Sequence, residues 1–258
     1  MIRLSRRRFL ATGAALGAAT LAPAARAASD ASAIDLAIAT RTIEVKGKAA
    51  KVFGLLQPNG AHGLVMNAGD RFRVRLKNEA QEAALVHWHG LTPPNDQDGV
   101  PGVTQPPLAT GESSEYDFAV ALPGTNWMHS HHVLQEQSLM AAPLIVRDPK
   151  DAALDEQEIV ILLHDFTFEL PQEILSGLAK GMSHDHGAPA AADPQAGHDM
   201  SQMAPDGMGG NIDLNDVAYD AFLANDRTLD DPEVVRVDNG QRVRLRIINA
   251  ASATNFMI

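Results

Sequence analysis

From Ile34 onward, short runs of alternating apolar and polar residues recur, and each is bounded by turn signals. Arg41–Val45 and Ala50–Phe53 are the first, followed by a Gln57-Pro-Asn-Gly60 turn. Arg71–Lys77 alternates apolar with basic residues between Gly69-Asp70 and Lys77-Asn78. A period of two places successive side chains on opposite faces, so each run predicts a half-buried strand. Leu85–His89, Ser114–Val120, Asn126–His131 and Ala142–Val146 continue the series, with a Pro/Gly/Asp-rich loop over Thr92–Thr110. No amphipathic helix of ordinary length is expected. Many short strands at this spacing predict an all-β chain, a β-sandwich or Greek-key barrel.

Arg147–Asp151 reads as a linker. Beyond it, Glu158–Leu163 predicts a strand and Gln172–Lys180 one short helix. Val234–Val237, Asp238-Asn-Gly240 and Arg242–Ile248 then read as strand, turn, strand. This repeats the pattern from Val65 to Leu76, so two copies of one sandwich are expected. The second stops about halfway, within a strand expected near Asn255, which implies a piece of a longer protein: an edge left unpaired is a liability. Between these runs lies a Gly/Ala/Pro/Asp-rich stretch, residues 181–210, holding Met182 and Met208 besides the residues named below. It has too little apolar surface to pack and is expected to be a mobile insertion. Its His184, His186, His198, Met200 and Met203 are candidates for weak copper capture, since thioether and imidazole suit cuprous ion.

The candidate chemistry lies in the strands. His87-Trp-His89 and His129-Ser-His131 are two His-x-His pairs. Residues i and i+2 of a strand share a face, roughly 7 Å apart along the rise. That gap suits two neighbouring ions, one nitrogen to each, and two facing pairs would gather four neutral nitrogens. Imidazole binds copper, zinc, iron and nickel, so the pairs alone say metal and leave its identity open. Cupins and zinc hydrolases also use such pairs, but a cupin would want a Glu soon after the first, and Gly90-Leu-Thr-Pro-Pro-Asn-Asp96 follows instead.

Composition narrows the class. The chain has 258 residues, enough for two domains, and a net charge of −11 that argues against a nucleic-acid partner. There is no cysteine, so neither disulfides nor thiolate metal sites can form. Ser5-Arg-Arg-Arg-Phe-Leu10 has the form of a twin-arginine export signal, followed by an Ala/Gly-rich run and Ala25-Arg-Ala27, an A-x-A cleavage site. Residues 1–27 are therefore expected to be a signal peptide, the location periplasmic or otherwise exported, and stable membrane insertion is not expected, because the run is too short to span.

His87-Trp-His-Gly90, Asp98-Gly99, Pro101-Gly-Val-Thr-Gln-Pro106, Gly124-Thr-Asn-Trp-Met-His-Ser-His131 and Pro143-Leu-Ile-Val146 resemble the first cupredoxin domain of the multicopper oxidases. Arg242–Ala250 is similar to their second domain, and the likeness covers residues 35–258. It implies cupredoxin-like Greek-key sandwiches, one over residues 28–147 and an incomplete one over residues 148–258. It also implies a trinuclear copper centre that reduces O2 to water. On that pattern His87 would bind the type 2 copper, and His89, His129 and His131 the type 3 pair. His132 has no place in it. Asp98 would be an acid beside the centre, orienting a ligand or water and aiding proton delivery. The remaining ligands and the type 1 copper would belong to a C-terminal cupredoxin domain absent from this chain, which has no Cys and no His after His198. The chain alone is thus expected to carry half of the trinuclear ligands, no type 1 site and no oxidase turnover. A copper-sequestering protein of the same fold is the alternative.

Overall fold

A computed structural model describes residues 33–182 and 217–258, and everything below concerns those residues. The signal-like leader and the proposed copper-capture residues His184, His186, His198, Met200 and Met203 lie outside them.

Strands β1 (Ile34–Val45) and β2 (Lys48–Leu56) form a long hairpin. Its turn residues Lys46 and Gly47 both have positive φ, 49° and 76°, the hand that matches the twist of the flanking strands. After β3 (Leu64–Asn67), strand β4 (Arg71–Asn78) runs parallel to β1 and antiparallel to β6 (Ser113–Ala119). The first sheet therefore has the order β2-β1-β4-β6. The second is built from β3, β5 (Val86–His89), β7 (Gly124–Ser130) and β8 (Ala141–Arg147), in the order β3-β8-β7-β5. Phe72, Trp88, Tyr116, Phe118 and Met128 fill the space between the two sheets. Phe72 meets the Trp88 ring edge-on at 4.8 Å and stacks on Phe118 at 4.6 Å. This is the β-sandwich that the alternation predicts, and it is cupredoxin-like as the resemblance implies.

A third sheet has the order β10-β9-β11, from β9 (Glu156–Phe166), β10 (Ala221–Ala224) and β11 (Arg242–Asn249). β11 lies parallel to β9 and β10 antiparallel to it, as β4 and β2 lie against β1. Of the repeat read in the sequence, the Arg-rich strand Arg242–Asn249 does take the place beside β9 that β4 takes beside β1. Ala141 and Ile145 of β8 pack on Leu162, Ile248 and Ala250, while Val45, Ala50 and Val52 pack on Phe166, Ala221 and Leu223. Arg41 of β1 makes a two-pronged ion pair with Asp226 in the turn after β10.

Several expectations need correction. Val234–Val237 is not a strand; the Gln157 side chain of β9 donates to its Arg236 carbonyl at 3.0 Å. No strand forms near Asn255 either. The backbone N–H groups of Ser252, Ala253 and Thr254 instead donate to the Asp165 carboxylate, which holds that segment as a loop. The helix expected over Gln172–Lys180 is present as α1, Pro171–Met182, 12 residues. Pro171 opens it, where its missing N–H costs nothing. β3 and β10, four residues each, are too brief to show a period of their own in the sequence. Among the described residues no helix is long and apolar enough to cross a membrane.

Candidate metal centre

The site begins with strand pairing. In β5, Val86 and Trp88 are fully buried in the sandwich, so His87 and His89 must face the other way. In β7, Met128 enters the same core and sends Trp127 and His129 to the opposite face. The register then sets His87 directly across from His129, and His89 across from Trp127. His131 follows β7 by one residue and falls beside His87.

The four imidazoles converge on the outer face of the second sheet. Ring centroids are 5.8 Å apart for His87–His89 and 4.7 Å for His129–His131. Across the strands they are 5.7 Å for His87–His129, 5.4 Å for His89–His129 and 4.4 Å for His87–His131. The rings lean together, closer than the strand rise suggests. One nitrogen from each of His87, His89 and His129 lies within 4.8 Å of the others. His89 Nδ1 and His129 Nε2 are 3.3 Å apart. Two nitrogens at about 2.0 Å from one tetrahedral ion stand roughly 3.3 Å apart, so this pair has the bite for a single metal.

Surrounding groups set the orientation of the rings. His87 Nδ1 lies 2.7 Å from the backbone carbonyl of Asp98, and its proton there leaves Nε2 to face the cluster. The Asp98 carboxylate oxygen is farther, at 3.4 Å. Sequence reasoning singled out Asp98 for its acid, whereas the hydrogen bond comes from its main chain. Gly99, at φ +78°, makes the approach feasible, since a Cβ there would sit 1.9 Å from the Val86 carbonyl oxygen. The rest of the loop is tied down as well. Trp88 Nε1 donates to the Gln97 carbonyl at 3.0 Å, and Gly99 N–H to Gln105 Oε1 at 3.0 Å. Trp127 stacks face to face on His129, 4.0 Å between centroids and 9° from parallel.

Beyond His131 the chain turns under Gln135, which is buried. Its Oε1 accepts from the Ser130 hydroxyl at 2.8 Å, and its Nε2 donates to the Ala83 carbonyl at 2.8 Å. The next residue, Glu136, sets a carboxylate oxygen 3.1 Å from His129 Nδ1. Sequence reasoning missed both Glu136 and Trp127 as parts of the site. The only available signal was an acid five residues after a His-x-His pair.

Burial, and then the neighbouring His129 and His87, push His89 and His131 below the ordinary imidazole pKa. Both are therefore neutral at pH 7, the form that ligates metal. His89 and His131 are exposed while His129 is buried, so the cluster is open on one side.

The family profile described as Multicopper oxidase matches residues 38–151. A multicopper oxidase of Mycobacterium tuberculosis, MmcO, is 32% identical over 99% of this chain and 54% of its own length. Copper resistance protein A of Escherichia coli is 38% identical over 43% of this chain and 19% of its own. Among solved structures, Lac15 from a marine microbial metagenome matches at 25% identity and a TM-score of 0.55, covering 85% of this chain and 48% of that one. The chain thus spans about half the length, or less, of the curated relatives it matches.

Proposed function

We propose, from the premise that this chain belongs to the multicopper oxidase family, that it carries the N-terminal part of a copper-dependent oxidase. The whole protein would couple one-electron oxidation of a substrate to four-electron reduction of O2. The observation that carries the reading is the convergence of His87, His89, His129 and His131 on one face, with two of their nitrogens 3.3 Å apart. An all-imidazole donor set suits copper, and family membership favours an oxidase over copper storage.

The four histidines would hold half of a trinuclear type 2/type 3 centre, His87 at the type 2 ion and the other three at the type 3 pair. The remaining ligands, and a type 1 site, would come from a C-terminal cupredoxin domain not contained in this chain. Bound copper would supply the electron transfer that takes O2, four electrons and four protons to two waters. The protein's own residues prepare the site. The Asp98 carbonyl keeps His87 Nε2 turned inward, and the stacked Trp127 ring holds the plane of His129. The Asp98 carboxylate, 32% exposed and 3.4 Å from His87 Nδ1, would hand protons from solvent to the site.

Residues 28–147 would be the first cupredoxin domain and residues 148–258 part of a second. The sandwich ends with β8 at Arg147, and the new sheet starts at Glu156. Residues 1–27 would direct export by the twin-arginine route.

Copper stoichiometry and EPR on the purified chain, with each of the four histidines changed to Ala, test the assignment. Each change should lower copper binding and alter the cupric spectrum. Equal binding by the wild type and the quadruple variant would refute it.

A further inference from the structure

His129 is the most buried ring of the cluster, and its Nδ1 makes no hydrogen bond although fully enclosed. The Glu136 carboxylate oxygen lies 3.1 Å from that nitrogen but off the N–H axis. We infer that Glu136 is a positioning residue that holds His129 with its proton on Nδ1, so that Nε2 keeps its lone pair for metal; this rests on the copper reading above.

The two tautomers of the His129 ring differ in what Nδ1 presents to Glu136. With the proton on Nε2, the bare Nδ1 lone pair would face a carboxylate oxygen at 3.1 Å, acceptor against acceptor in a buried setting. That arrangement is repulsive and leaves a buried polar atom unpaired. With the proton on Nδ1, the same contact becomes a charge-assisted hydrogen bond after a small rotation of the Glu136 side chain, which is 25% exposed and free to make it. His129 Nε2 then accepts from His89 Nδ1, 3.3 Å away, in the metal-free protein. On binding an ion, both of these nitrogens offer lone pairs, because the exposed His89 can carry its proton on the other nitrogen.

The backbone supports this placement. Glu136 opens a 3-10 turn, Glu136–Ser138. The preceding Gln135 is pinned to Ser130 and Ala83, and the following Leu139 is buried with φ 62°. Glu136 is therefore held at both ends while its head group alone can move. His87 is oriented by the Asp98 carbonyl and His129 by Glu136, so the directly opposed pair is fixed through Nδ1 on both sides.

The test uses the whole chain with Glu136→Ala and Glu136→Gln, the latter keeping an acceptor oxygen. Cupric ion is titrated against a competing chelator, and side-chain 15N NMR reads the His129 tautomer without metal. Glu136→Ala should weaken copper binding about ten- to a hundredfold, the usual loss for a group that orients a ligand. It should also shift His129 toward Nε2 protonation, while Glu136→Gln stays within about threefold of wild type and keeps Nδ1 protonated. Unchanged affinity in Glu136→Ala, or an unchanged tautomer, overturns the inference. His129→Ala separates the two claims: if it binds copper as wild type does, the copper reading fails, and the metal-free NMR still decides the tautomer.

Discussion

His87 and His129 face each other directly across the β5–β7 ladder, with ring centroids 5.7 Å apart and planes nearly perpendicular at 86°. Neither ring could be moved by one residue without turning into the core that Trp88 and Met128 fill. A one-residue slip sends every side chain of a strand to the other face. The histidine face and the hydrophobic core are thus set by one register.

Gly99→Ala should both destabilise the fold and weaken copper binding. Its Cβ would meet the Val86 carbonyl oxygen at 1.9 Å, and φ is positive. The cost should exceed about 1 kcal/mol, the usual size of glycine effects at compatible sites. Urea denaturation and a copper titration would read the two losses together, and a variant as stable as wild type would contradict the close packing.

Asp98→Asn should leave copper affinity within about threefold of wild type, since the group nearest His87 Nδ1 is the backbone carbonyl at 2.7 Å. Turnover of the full-length enzyme should fall while affinity holds, because the proposed proton donor is lost. A large loss of affinity would show that the carboxylate, not the carbonyl, orients the ring.

Arg41→Ala should destabilise the chain by roughly 2–4 kcal/mol, near the range for breaking a buried pair. It strands the Asp226 carboxylate, which is 28% exposed, and also removes the donor to the Phe53 carbonyl. Burial alone would raise the Asp226 pKa, yet the Arg41 hydrogen bond and charge hold it below the ordinary value. Removing both partners with Arg41→Met and Asp226→Leu should recover much of the loss, measured by the same unfolding curves.

Stability should fall as pH drops from about 6.5 to 4. His62 and His164 are driven to a pKa of about 4, chiefly by burial. Between 4 and 6.5 the unfolded chain binds more protons at these rings than the folded one, so unfolding is favoured as pH falls. Each histidine contributes a slope of up to roughly 1.4 kcal/mol per pH unit. His164→Leu should flatten the profile in that window, and an unchanged slope would refute the assignment.

The sequence by itself determined the strands that alternate over several residues, the pairs of histidines and the repeated Arg-rich strand. These follow from local periodicity, which needs no partner to be read. Its two misread strands, at Val234–Val237 and near Asn255, have strand-like residues, but in the folded chain the first meets β9 through the Gln157 side chain and the segment leading to the second is held by the Asp165 carboxylate, which only the assembled structure could show. Tertiary structure alone decided that the two His-x-His pairs face one another, because a ladder register joins residues 42 positions apart, His87 with His129. It also brought up the Asp98 carbonyl, the Trp127 ring and Glu136. Such contacts depend on where a loop closes, and a main-chain acceptor has no letter in a sequence.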